Sequence, residues 1–332
     1  MRQRVRNRLC PALFLVAGIV AALTTVPLGG MAAGGRAGGA WQMPRTPDGR
    51  PDLQGTWSNS TRTPLQRPVA LGTKQFYTDE ELAKLRLPSH DDALPAGDPG
   101  TYNQFWWEEG GFLKQTSLIV DPPNGRIPPL TPEGQRRLAA RQARGGDRAD
   151  GPEDRNLAER CVTRGAPKLP GGYNNNVLIV QTPGYIAMLQ EMIHETRLIP
   201  LDGRPPALST IRSYLGDSHG HWEGDTLVVE TTNFRSNVDE TSYNCCGGAG
   251  EHLSVVERFA LVDNDTIDYR YTVNDPTTFT RPWTVSLPMR RVPGPLLEYA
   301  CHEGNISMVG ILSGARAEEE RARKEHPFDR PR

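Results

Sequence analysis

Between residues 177 and 300 the chain alternates apolar and polar residues over short stretches and breaks each stretch at a tight-turn signal. Side chains on a strand point to opposite faces in turn, so such stretches bury one face and wet the other. "NVLIVQTPGYIAMLQEMI" reads as two strands about a Pro-Gly turn, and "HWEGDTLVVETTNF" and "SVVERFALVDNDTIDYRYTV" read as two more hairpins. "WTVSLPMRRVPGPLLEYACHE" reads as a further pair around Pro293 to Pro295. Strands joined by tight turns, without intervening helices, predict a mainly β protein. The expected fold is an antiparallel meander closed as a barrel or folded as a sandwich, with a few short peripheral helices.

Two of those helices have clear start signals. In "YTDEELAKLRL", Thr78 caps the first turn and Glu81 completes a capping box. In "LTPEGQRRLAARQARGG", Thr131 is the cap, Pro132 sits in the first turn and glycines supply the stop. A last charged helix, Ala315 to Glu325, has no wide apolar stripe and is expected to be solvated. The sequence therefore divides into a leader (1–33), a flexible linker (34–52), a strand, helix and loop region covering the barrel (53–160), the barrel or sandwich (161–314) and a charged C-terminal helix and tail (315–332). Residues 88–103 and 145–156 read as loops.

The leader bears on compartment. Arg2, Arg4, Arg6 and Arg8 precede an apolar run from Leu13 to Val26 and then the small-residue stretch "GGMAAGG". That is the pattern of a cleaved signal peptide, and the run falls short of the roughly 20 apolar residues of a membrane span. A periplasmic or secreted protein is expected, with no membrane insertion of the mature chain. Cleavage would remove four of 38 basic residues and none of 39 acidic ones, leaving a net charge of about −5. A surface of that sign argues against nucleic acid as a partner.

Four cysteines follow the leader: Cys161, Cys245, Cys246 and Cys301. In an exported protein an even count points to disulfides, with three pairings open. Cys161 with Cys301 is the expected bridge, tying the middle of the chain to its last strand. Adjacent Cys245 and Cys246 would make a strained ring, so "NCCGG" reads as a loop with free or cross-bridged thiols.

The hairpin faces can be assigned residue by residue. With Gly224 and Asp225 at the centre of the turn, Trp222 faces Leu227, His221 faces Val228 and His219 faces Glu230. Trp222, Leu227 and Val229 then form a core face, and His219, His221 and Glu230 share the other. Two histidines and a carboxylate can hold a divalent metal, which is the alternative cofactor; otherwise no cofactor is predicted. In the next hairpin, Val255, Phe259 and Leu261 and the partner set Ile267, Tyr269, Tyr271 and Val273 share a side if the loop is Asn264 to Thr266. Glu257 then falls among apolar residues, where desolvation raises a carboxyl pKa toward use in proton transfer, unless an arginine such as Arg281 pairs with it.

Three further segments carry candidate chemistry. "EMIHETR" holds Glu191, His194, Glu195 and Arg197, and "YACHEGN" ends the last strand with His302, Glu303 and Asn305 beside Cys301. "DPTTFTRPW" places Arg281 near Trp283, a pairing suited to an apolar or sugar-like ligand. The candidates for acid–base chemistry are therefore Glu257, His302, His221 and His194. Those for ligand binding are Arg281, Trp283, Glu303 and Asn305. H-E-x-x-H, P-loop and dinucleotide fingerprints are absent from the sequence.

Taken together, "TPDGRPDLQGTW", "HWEGDTLVVETTNF" and "EYACHEGN" resemble a family of exported bacterial proteins of uncharacterised function. The resemblance runs over most of the mature chain. It implies a periplasmic or secreted protein and brings no reaction with it. "GTW" at a first strand followed by a meander is also similar to the lipocalin-type barrel pattern, although the region before residue 177 exceeds a simple lipocalin. The expected function is an exported enzyme acting by acid–base chemistry, of lyase, isomerase or hydrolase type, on a small organic ligand. The alternatives are a carrier of a lipid, terpene or saccharide, and a metal-dependent enzyme using His219, His221 and Glu230.

Overall fold

The computed structural model describes residues 41–85, 108, 110–143, 149–235 and 250–325. Within them lie strands β1 (Gly55–Ser58), β2 (Ile119–Asp121), β3 (Asn176–Gln181), β4 (Tyr185–Gln190), β5 (Thr196–Pro200) and β6 (Asp217–Glu223). They are followed by β7 (Thr226–Thr232), β8 (Ser254–Asp263), β9 (Thr266–Asn274), β10 (Trp283–Ser286) and β11 (Met289–Arg291). All join one antiparallel sheet in the order β5-β4-β3-β1-β11-β9-β8-β7-β6, with β10 pairing β9 and carrying β2 on its far side. The sheet curls into a nearly closed barrel. Of the two forms expected, barrel and sandwich, it is the barrel that forms.

Closure is made by side chains. The two ends of the strand path, β5 and β6, meet where Arg197 Nη2 donates to Ser218 Oγ at 3.4 Å. Ile199 and Leu201 press on the bare backbone of Gly220, where an added Cβ would lie 3.0 Å from Ile199 Cγ2 and 2.7 Å from Leu201 Cδ2. Gly220 separates the two histidines of the "HGH" segment, and its missing side chain is what lets the edges approach.

The hairpin predictions fare well. The β6–β7 register is Trp222 with Leu227, His221 with Val228 and His219 with Glu230, around a turn in which Gly224 has φ +58°. In β8–β9 the expected faces are right but the loop is not: Asp263 pairs with Thr266 across a two-residue turn, and a bulge at Val262 restores the parity that sets Leu261 against Ile267. The pair expected around Pro293 to Pro295 does not form. Instead β10 and β11 lie end to end along β9, divided at Leu287–Pro288, and the chain from Val292 to Asn305 contains no strand. Pro288 has no N–H to give a ladder, which fits the break there.

Helix α1 (Asp79–Lys84) has the expected capping box between Thr78 and Glu81, and α2 (Pro132–Ala143) begins with Gly134 N–H donating to Thr131 Oγ1 at 3.1 Å. Helix α3 spans Ile306–Glu325, starting well before Ala315, because Gly304 at φ +65° turns the chain directly into it. The region expected to cover the barrel in fact supplies wall: β1 lies between β3 and β11, and β2 pairs with β10. Trp57 on β1 is fully buried, its indole N–H donating to Leu53 O at 2.9 Å. Residues 43–52, expected to be linker, fold back in a tight turn, with Thr46 N–H on Arg50 O at 2.9 Å and Arg45 on Asp225.

Cys161 and Cys301 are joined by a disulfide, as expected. No helix among the described residues is long and apolar enough to cross a membrane. The leader, Cys245 and Cys246 lie outside the described residues.

Candidate functional site

The inward faces of β8 and β9 carry Val255, Glu257, Phe259 and Leu261 opposite Val273, Tyr271, Tyr269 and Ile267. Glu257 is therefore inside the barrel, 2% exposed. Its partner is Arg197 on β5, 5% exposed, and not Arg281. Glu257 Oε1 accepts from Arg197 Nη1 at 3.1 Å and from the Tyr269 hydroxyl at 2.8 Å, while Oε2 accepts from Arg197 Nη2. Arg197 continues the polar row to Ser218 Oγ, which shares a hydrogen bond of 2.9 Å with Thr231 Oγ1. The row thus runs across β5, β6, β7, β8 and β9.

The barrel end near this row is covered by an irregular segment between Cys161 and Asn175. Thr163 to Gly165 anchor it, with Arg164 N–H donating to Glu195 Oε2 at 3.1 Å. Lys168, on the same segment, is buried and donates from its ammonium to Asn174 O; its own carbonyl accepts from Asn59 Nδ2 at 3.3 Å. Asn59, Lys168, Gln190, Arg197, Glu257 and Tyr269 converge on one interior cavity of about 30 Å³, whose apolar wall includes Ile179, Met188, Phe259 and Met289. That volume takes a group of a few heavy atoms, on the order of two water-sized positions. Asn59 Oδ1, Gln190 Oε1 and Arg197 Nε are buried there without a hydrogen-bond partner in the protein. Buried polar atoms are nearly always paired with protein or with water, so a cavity lined by the residues that carry these three atoms suits a small polar occupant, water included.

Electrostatics divides the roles. Burial holds the Tyr269 phenol well above its ordinary pKa, with the Glu257 carboxylate adding to the effect, so the hydroxyl remains a donor. Burial opposes the charge on Arg197, yet Glu257 more than offsets it and the guanidinium pKa is raised. Burial lowers the Lys168 ammonium to about 8, helped by the Arg164 charge and resisted by Glu108, Glu191 and Glu195. Among these three shifted groups, Lys168 is the one brought close to neutrality.

The other expected site residues lie elsewhere. His219 and His221 face outward with Glu230; His219 is hydrogen-bonded to Asp217 Oδ2 at 3.1 Å and His221 to Glu223 Oε1 at 3.3 Å. No group of three His, Cys, Asp or Glu side chains among the described residues is arranged to hold a metal, so His219, His221 and Glu230 do not make a ligand set. His194 is exposed and bonded through Nδ1 to Tyr299 O at 2.9 Å. His302 is exposed in the turn after the disulfide. Neither reaches Glu257, which sits behind the barrel wall. Arg281 is at the surface on Asp121 at 2.9 Å. Trp283 is fully buried core, with Phe279 against it edge to face at 5.8 Å between ring centres.

Glu303 and Asn305 do meet a second feature, an open cleft of about 530 Å³ beside the Cys161–Cys301 bridge, walled also by Arg164, Tyr173 and Tyr299. Asn305 Nδ2 donates to Glu159 O at 3.2 Å across it.

Asn59, Lys168 and Gln190 are cluster residues that the sequence does not single out; Arg197 stands in "EMIHETR" and Tyr269 on the face of Glu257, but the sequence assigns neither a role. For Arg197 a signal exists: on a strand it shares a face with Ile199, a core residue. Lys168 lies on irregular backbone, where no periodicity assigns a direction. No protein-family model matches the chain, and no curated protein or solved structure matches it either.

Proposed function

We propose that this protein is an exported barrel that binds a small organic molecule by its polar head, inserted at the Lys168–Arg197–Glu257 cluster. The observation that carries this is the convergence of six polar side chains on one interior cavity, with three of their atoms lacking partners. The head group enters the cavity and the remainder of the ligand extends out past the covering segment. Export is supported by the basic and apolar leader, by a disulfide of the kind formed in oxidising compartments, and by the motif resemblance.

A second reading, acid–base catalysis on the bound molecule, is favoured by Lys168, whose lowered ammonium pKa of about 8 suits proton exchange near neutrality. In that reading Lys168 takes the proton-transfer role, because Glu257 is held by Arg197 and Tyr269 in the same cavity, while His302, His221 and His194 are exposed.

The test is a thermal-shift screen of the exported chain, purified from the periplasm, against short acids, alcohols, amides and aldehydes. At least one compound class is expected to raise the melting temperature of the wild type and to lose that effect in Lys168→Met. A flat response across all classes, or equal shifts in the variant, rejects the reading. Proton NMR of incubated mixtures then separates carrier from enzyme by whether a binder is converted.

A further inference from the structure

The charges around the barrel cavity are already matched, which leaves three unfilled hydrogen-bond positions to define its occupant. Arg197 gives both Nη groups to Glu257, and Tyr269 donates to the same carboxylate. Lys168 gives its ammonium to the Asn174 carbonyl, which is not part of the cavity lining, and Glu108, Glu191 and Glu195 act on its charge. A charged occupant would be stripped of water and find no free counter-charge. What remains is two acceptors, Asn59 Oδ1 and Gln190 Oε1, and one donor, Arg197 Nε, all buried without a partner among the described residues. The three residues line the cavity and are at most 5% exposed. Asn59 Nδ2 donates to Lys168 O at 3.3 Å, which fixes that amide with Oδ1 as its bare atom.

Resting on the ligand-binding reading above, we infer that the cavity takes a primary carboxamide head group. Such a group carries a carbonyl acceptor and two N–H donors on three heavy atoms, the complement of one bare donor and two bare acceptors. A carboxylate brings no donor and leaves Asn59 and Gln190 unsatisfied. An alcohol or a secondary amide brings one proton, which serves only one of them. A primary ammonium brings donors but no acceptor for Arg197 Nε, and sets a second cation beside that guanidinium. Each bare buried acceptor is costly, so the count of donors becomes the selectivity element. Water has the right count as well and is what the amide displaces. The wall of Ile179, Met188, Phe259 and Met289 favours the amide, because it receives a carbon substituent and offers water no bond. The cavity of about 30 Å³ limits the head group to a few heavy atoms.

The test is an NMR titration of the exported mature chain with acetamide, N-methylacetamide, acetate and methylammonium. Acetamide is expected to bind roughly tenfold or more tightly than each of the other three. In Gln190→Leu, which removes one of the two acceptors, the advantage of acetamide over N-methylacetamide is expected to narrow to about threefold or less. A purely steric effect of the added methyl group would survive in that variant. A crystal structure grown with acetamide should show the amide in the cavity, and water alone there overturns the inference. N-methylacetamide binding as tightly as acetamide, or an advantage unchanged in Gln190→Leu, overturns the two-donor requirement. The four wild-type affinities decide by themselves if the variant does not fold. Acetate or methylammonium binding in preference overturns the neutral head group and leaves the ligand-binding reading intact. No binding by any of the four overturns the inference, and the broader thermal-shift screen then decides the reading it rests on.

Discussion

The Arg197–Glu257 pair shows what one buried charge demands of its surroundings. Taking a carboxylate out of water costs several kcal/mol, and here a two-pronged guanidinium and the Tyr269 hydroxyl offset that cost. Removing one partner leaves the other uncompensated inside the barrel; removing both leaves an apolar wall. Arg197→Met and Glu257→Leu are each expected to destabilise the protein by about 3–5 kcal/mol, and the double variant by much less than their sum. Urea denaturation of the four proteins checks this, and additive losses would show that the two side chains act independently. The inward direction of Glu257 was legible from alternation along β8. Its partner was not, because Arg197 lies 60 residues away in the chain and the 3-10 turn Met192–His194 that feeds β5 hides the strand's phase.

At the level of elements, the interesting residues are small ones. Gly134 lies in the first turn of α2, where alanine normally favours a helix by about 1 kcal/mol. A Cβ at this position would stand 2.6 Å from the Thr278 carbonyl oxygen and 3.2 Å from Thr278 Cα, so the helix could not keep its seat on the β9–β10 connection. Gly134→Ala is therefore expected to lower stability by about 1–3 kcal/mol, against its helix propensity. A thermal melt reads the sign directly. The same lesson applies to "HGH": the histidines attract attention in the sequence, whereas Gly220 between them permits β5 and β6 to close. Parity already placed the histidines opposite Trp222; the closeness of Gly220 to Ile199 and Leu201 depends on a strand that is not its hairpin partner.

At the level of the whole molecule, the barrel is closed by side chains at the β5–β6 seam and is tied by the Cys161–Cys301 bridge across 140 residues of chain. Cross-linking so long a loop restricts the unfolded chain, with a ceiling of about 5 kcal/mol in the entropic account. Replacing both cysteines by serine is expected to lower stability by roughly 3–5 kcal/mol. A reducing agent should bring the wild type down to the variant's denaturation midpoint and leave the variant unchanged. If the variant matches the oxidised wild type, the bridge does not stabilise the fold. The bridge also holds the residues after Tyr299 against the covering segment that carries Lys168, so it joins the stability of the molecule to the shape of the barrel end.

Alternation and turn chemistry by themselves determined the β class, the hairpin β6–β7 in full register, the shared faces of β8 and β9, the starts of α1 and α2, and the inward place of Glu257. These are local properties: a side-chain period of two and a turn type fix them over a few residues. The tertiary structure alone decided that β1 inserts between β3 and β11, that Arg197 meets Glu257, and that Lys168 reaches into the barrel from irregular chain. Those contacts join segments far apart in sequence, and their energies depend on burial and closure, which no local spacing encodes. The candidate site is made almost entirely of such contacts, so the sequence pointed to one of its charges and the fold supplied the others.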